Sequence, residues 1–167
     1  MMEFIRRTAR LLHEDHRATM LMIEGLESLI ARAKRNLPDT EDASTRATLE
    51  QAAKAIEQEV RSHFAFEENE LFTRLADMGD ADIGAHLRDE HHAILPVGEQ
   101  VSALARAALN DGFTEQSWAQ FKAQAGELIE RMLAHIQKEE MGLLPILDDI
   151  IDEDQDAELS NAYAMSR

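Results

Sequence analysis

Between Phe4 and Ile30 apolar side chains return every three or four residues, at Leu12, Met20, Ile23, Leu26 and Ile30. That spacing marks one buried face of a helix. The first helix is expected to end near Arg35, before the turn-forming run Asn36, Leu37, Pro38 and Asp39. A second helix reads from about Glu41 through Ile56, Val60, Phe64 and Leu71 to about Ala76, with Met78 to Asp82 as the next turn. The third spans roughly residues 82 to 109, with an expected kink or brief break at Pro96, and closes at Asn110, Asp111 and Gly112. Thr114 is the expected cap of a fourth helix, which runs through Trp118, Phe121, Leu128 and Met132 to about Leu144. Residues 148 to 158 are acidic, and the tail beyond them either forms a short helix or frays.

The pattern repeats once. Leu12 to Ala18, LHEDHRA, aligns with Leu87 to Ala93, LRDEHHA. His63 to Leu75, HFAFEENELFTRL, aligns with His135 to Leu147, HIQKEEMGLLPIL, at nearly the same offset. Two similar helical hairpins predict an all-α, antiparallel up-down-up-down four-helix bundle over residues 1–147, with residues 148–167 as an acidic C-terminal tail.

Composition supports this class. Hydrophobic residues make up 44% of the chain and aromatic residues only 5%, a balance that favours helices over strands. Seventeen basic residues face 33 acidic ones, for a formal charge of −16. That charge argues against nucleic acid and anionic membrane surfaces as partners. The chain contains no cysteine, which excludes disulfides, thiolate metal sites and thiol catalysis. The N-terminal stretch lacks the apolar run of a signal peptide, no segment is apolar enough to span a membrane, and a cytoplasmic location is expected.

Residues four apart share one helix face, so His63 projects with Glu67 and His135 with Glu139. Each repeat adds a further histidine, His16 and His91. Helix rise places these six at one height. The first hairpin carries about 28 Å of helix down from His16 and about 31 Å back up to His63. The second carries about 27 Å down from His91 and about 31 Å back to His135. A single His-x-x-x-Glu pair is usually a surface hydrogen bond, but two in register with two level histidines point to a metal site. Imidazole and carboxylate together suit iron, zinc or copper.

This pattern, His, His-x-x-x-Glu, His, His-x-x-x-Glu, resembles the hemerythrin-like (HHE cation-binding) domain family, in its four-histidine di-iron form. The resemblance runs from His16 to Leu147 and implies two iron ions per chain with an oxo or hydroxo bridge. It implies terminal ligation by His16, His63, His91 and His135, and bridging by Glu67 and Glu139. About one position per iron is then left for oxygen, nitric oxide or water. Oxygen-carrying members use a fifth histidine four residues before the third-helix ligand, where this chain has Leu87. Cluster-repair members carry a cysteine-containing N-terminal segment that this chain lacks, and the Glu-x-x-His spacing of ferritin-like sites does not occur.

The sequence supports three readings of function. In the first, the protein binds, senses or detoxifies oxygen or nitric oxide, with a diatomic gas or small oxidant as its partner. Alternatively it is a di-iron redox enzyme or an iron donor for iron–sulfur cluster repair, served by a redox partner protein. In the third reading it is a partner-binding bundle that its metal only stabilises. Oligomeric state is open in each. His13, one turn from His16, is carried as an alternative fifth ligand or outer partner. His86, His92, Glu68 and Glu140 are expected on solvated faces, and Asp15 and Glu90 are placed to orient ligands from outside. Met20, Val60, Phe64, Ile94, Met132 and Ile136 are the expected lining of the site, and Trp118 belongs to a distant layer.

Overall fold

The structure, a computed structural model, describes residues 3–167; the first two residues of the expected 1–147 domain lie outside the described residues. Four long helices, α1 (Arg7–Ala33), α2 (residues 43–77), α3 (Ala81–Asp111) and α4 (residues 115–150), pack in a ring, each against the next and α4 back against α1. A fifth, α5 (Glu153–Met165), lies along α1. Among the described residues there is no strand, and no helix is long and apolar enough to cross a membrane.

The helix starts follow local chemistry. Asp42 caps α2 by accepting the Thr45 N–H at 3.0 Å. Thr114 caps α4 in a reciprocal box with Ser117, as the sequence led us to expect. Helix α1 begins at Arg7 with no side-chain cap from its neighbours in sequence. Its free amides are met from the far end of the chain instead. Asp156 accepts the N–H groups of Arg7 and Thr8 at 2.9 Å each, and Asp148 accepts that of Arg6 at 2.6 Å. The acidic tail is thus a folded helix whose carboxylates complement the positive end of α1.

Two differences from the sequence reading concern prolines. Helix α3 runs unbroken through Pro96. Helix α4 continues past Leu144 to Ile150, because Pro145 falls in the first turn after a π-helical stretch, where an N–H would lack a partner anyway. Further π-helical turns lie within α2, at Ala55–Val60 and Glu67–Leu71.

Apolar side chains form two clusters. The larger runs from Leu29, Trp118 and Phe121 at one end of the bundle to Phe64, Ile94, Met132 and Ile136. The smaller holds Phe4, Leu12, Phe66, Leu71, Leu87, Leu143 and Leu159. On every long helix the candidate ligands fall at the change from one cluster to the other: His16 beyond Leu12, His63 and Glu67 around Phe64 and Phe66, His91 beyond Leu87, and His135 and Glu139 before Leu143. One polar layer therefore divides the core. Trp118 stacks with Phe121 at 5.7 Å and meets Phe113 at 5.0 Å, well away from that layer.

Helices α2 and α3 pack tightly at Gly84, where an added Cβ would stand 2.9 Å from Phe72 Cβ. That atom is fixed to the backbone and cannot swing aside. Gly84→Ala should therefore lower stability by about 1–3 kcal/mol through overpacking, against which helix propensity returns about 1 kcal/mol. Thermal unfolding followed by circular dichroism should show a melting temperature a few degrees lower, whereas an increase would show that the helices can separate freely here.

Candidate metal centre

The six residues expected as ligands converge. His16, His63, Glu67, His91, His135 and Glu139 are all buried, none more than 5% exposed. Donor atoms of Glu67, His91, His135 and Glu139 lie within 4.8 Å of one another, and so do those of His16, His63 and Glu139. These are two adjacent groups that share Glu139. His91 Nε2 is 3.1 Å and His63 Nε2 3.3 Å from Glu67 Oε1. His16 and His135 Nε2 are 3.0 and 3.2 Å from Glu139 Oε1.

Eight buried side-chain nitrogen or oxygen atoms among the described residues have no hydrogen-bond partner, and seven belong to these six residues. Leaving such atoms unpaired is costly, and all of the seven but His16 Nδ1, which faces Glu140, converge on a shared centre. Nitrogen and carboxylate oxygen without sulfur suit iron, manganese or zinc. The residues present fit a pair of such ions.

Each imidazole is oriented from behind by a carboxylate. The Nδ1–H groups of His63, His91 and His135 donate to Asp15 at 2.9 Å, Glu68 at 3.0 Å and Glu90 at 2.8 Å. His16 Nδ1 lies 3.3 Å from Glu140 Oε1. With Nδ1 so engaged in His63, His91 and His135, Nε2 presents its lone pair to the centre. The arrangement mirrors the repeat, because the residue before each lone histidine holds the histidine of the next helix (Asp15 and Glu90). The residue after each central glutamate holds a lone histidine (Glu68 and Glu140).

Asp15 and Glu90 are thus where the sequence placed them, but Glu68 and Glu140 are not simply solvated: each reaches across to a neighbouring helix. The available signal was the Glu-Glu doublet in both motifs. His13 lies outside the two donor groups, with Nδ1 2.5 Å from Glu140 Oε1. His86 and His92 are largely exposed, as expected. Val60, Phe64, Met132 and Ile136 line a small cavity at the centre, together with Thr19, which the sequence did not single out. Met20 and Ile94 pack in the larger apolar cluster instead. Phe64 also stacks flat on the His91 ring, 3.7 Å between centroids and 7° from parallel.

Both π-helical turns after the paired motifs begin at the central glutamates, at Glu67–Leu71 and Glu139–Leu143. A π turn holds one extra residue and rotates the next stretch of helix relative to an unbroken α-helix. Leu71 and Phe72 behind one glutamate, and Leu143 and Leu144 behind the other, are all buried.

The layer holds protons tightly when no cation balances it. Burial and the nearby Glu139 charge hold Glu67 well above the usual carboxylate range. Burial pushes Glu139 the same way, but the close approach of Glu67, His135, His16 and His63 outweighs it and holds Glu139 well below that range. The pair therefore favours holding its proton on Glu67 rather than on Glu139. Burial opposes charge on His16, His63 and His135, yet the surrounding carboxylates raise all three. Burial and the neighbouring His135 lower His91 to about 3. Metal ligation requires the deprotonated forms. His16, His63 and His135, raised above the ordinary histidine value, carry protons at pH 6 and shed them as the pH rises, so metal binding must expel protons and tighten with pH. Titration of chelator-stripped protein with Zn²⁺ should show higher affinity at pH 8 than at pH 6, with proton release seen by an indicator dye. Equal affinity and no proton release would contradict this protonation pattern.

No curated protein and no solved structure matches the chain. A family model, the hemerythrin HHE cation binding domain, matches residues 7–147. That span takes in all six converging residues and all four long helices through Leu147. The chain belongs to the hemerythrin HHE cation-binding family.

Proposed function

We propose that the protein holds two iron ions and uses them to bind, sense or detoxify a diatomic gas, oxygen or nitric oxide. His16 and His63 would serve one ion, His91 and His135 the other, with Glu67 and Glu139 between them. Iron would supply reversible one-electron chemistry and open coordination positions.

The observation that supports the gas reading is the cavity. It measures about 10 Å³, the room that one water-sized molecule needs. His16, His63, His135 and Glu139 form one side, and Val60, Phe64, Met132 and Ile136 the apolar remainder. So small a space, lined by four of the candidate ligands, leaves no room beside the ions for an organic substrate of even a few heavy atoms, and a ligand there would have to be as small as a diatomic molecule or water. Thr19 is the one hydroxyl in the lining and can donate a hydrogen bond to a bound molecule.

Protein expressed with ample iron should contain two irons per chain by elemental analysis. Glu67→Ala or Glu139→Ala should lose both, while His92→Ala retains them. A wild-type content of one or none would overturn the two-metal reading.

The gas reading separates from reversible oxygen carriage in the reduced state. Two irons with matching nitrogen and oxygen donors offer no single site at which oxygen would be held and released unchanged. The reduced protein should oxidise in air within minutes and should bind nitric oxide. Stopped-flow absorption after mixing with oxygen checks this, and a stable spectrum that reverses under argon would restore the carrier reading.

A further inference from the structure

Behind each imidazole stands a carboxylate, and each carboxylate is itself pinned by an outer group. Glu140 is met by His13, Glu68 by Arg88 at 3.4 Å, and Glu90 by Lys138, with His86 3.4 Å away. All of these come from the bundle. Asp15 is the exception. Its Oδ1 accepts the Tyr163 hydroxyl at 2.6 Å and its Oδ2 pairs with the Arg167 guanidinium, groups 148 and 152 residues further along the chain. Asp15 is the counterpart of Glu90 in the internal repeat, so the repeat is completed here from outside itself.

The two groups form one unit. The Arg167 guanidinium lies over the Tyr163 ring, 4.2 Å from its centroid. Tyr163 meets Phe66 edge-on at 5.4 Å, on the helix turn that carries His63 and Glu67. Leu159, fully buried, and Asp156, which caps α1, fix the helix that carries Tyr163 and ends two residues before Arg167. Asp15 is only 18% exposed, so little water competes for its oxygens.

We propose that the C-terminal helix is a positioning element of the metal centre: Tyr163 and Arg167 fix Asp15, Asp15 fixes His63, and the tail thereby sets how firmly the ion at His16 and His63 is held. The other ion, at His91 and His135, depends on Glu68 and Glu90 and their bundle partners. The tail thus makes two otherwise similar positions unequal. This proposal rests on the two-metal reading of the centre.

The test is metal release from the full chain loaded anaerobically with Fe²⁺ and mixed with excess ferrozine. Loss of a group that orients a metal-binding histidine costs about 10–100-fold in affinity. In Tyr163→Phe, which keeps the ring against Phe66, and in Arg167→Gln, one equivalent of iron should leave about tenfold faster or more while the other keeps the wild-type rate. Lys138→Met, which frees Glu90 behind His135, should speed the complementary equivalent, and the double variant both. The melting temperature of metal-free Tyr163→Phe should match that of the metal-free wild type. Unchanged release of both equivalents would overturn the proposal. Equal acceleration of both with a lower metal-free melting temperature would also overturn it, because the tail would then be a general brace. A wild-type chain that loads fewer than two irons would remove the two-metal reading itself, before any variant is compared.

Discussion

Four imidazoles and two carboxylates sit side by side, with almost no water-facing surface, in the middle of an apolar bundle. Placed there singly, each polar group would cost several kcal/mol, and the two carboxylates repel each other. Much of the architecture answers this constraint. The apolar clusters above and below exclude water and hold the four helices at one height. The outward nitrogen of three imidazoles is hydrogen-bonded to a carboxylate, and that of His16 faces one. The other unpaired atoms of the six point inward, at one centre, where bound cations would answer them together. A cation that binds only the folded bundle would stabilise it by mass action.

The internal repeat explains how such a layer can arise from simple parts. A lone histidine with an acid before it, and a His-x-x-x-Glu with an acid after it, supply half of the centre; two copies close it. The π-helical turns at Glu67 and Glu139 belong to this symmetry, while the turn at Ala55–Val60 has no counterpart in α4. Asp15 stands where the other repeat has Glu90, one methylene longer. The longer side chain finds Lys138 inside the bundle, and the shorter one is met by Tyr163 and Arg167 from the C-terminal end of the chain.

The height of the six residues was legible because helix rise is constant and the connections are short; the arithmetic needed only residue numbers. Thr114 was legible as a cap because capping is local. The π-helical turns were not, because they reflect how a helix accommodates its neighbours, and residues 67–71 read as ordinary helix. Glu68 and Glu140 were placed in solvent because α-helical periodicity turns them off the face of their own motif. They act on His91 and His16 of other helices, which periodicity along one helix cannot reveal. Asp156, Tyr163 and Arg167 lie in a stretch whose composition looks merely acidic. Their partners are nearly the whole chain away, and no local pattern encodes such a pairing.

A centre enclosed in this way governs access as well as binding. The cavity beside Glu139 is lined by side chains that belong to the larger apolar cluster, so widening it means unpacking Val60, Phe64, Met132 or Ile136. Close-packed interiors resist that change even by one methylene. A small uncharged molecule can pass as side chains change rotamer, on the ps–ns scale for the exposed ones and more slowly within a core. A charged ion must also shed its hydration in an apolar passage, and a chain with a net charge of −16 further repels anions. Packing, desolvation and surface charge therefore act in the same direction, against large molecules and against anions.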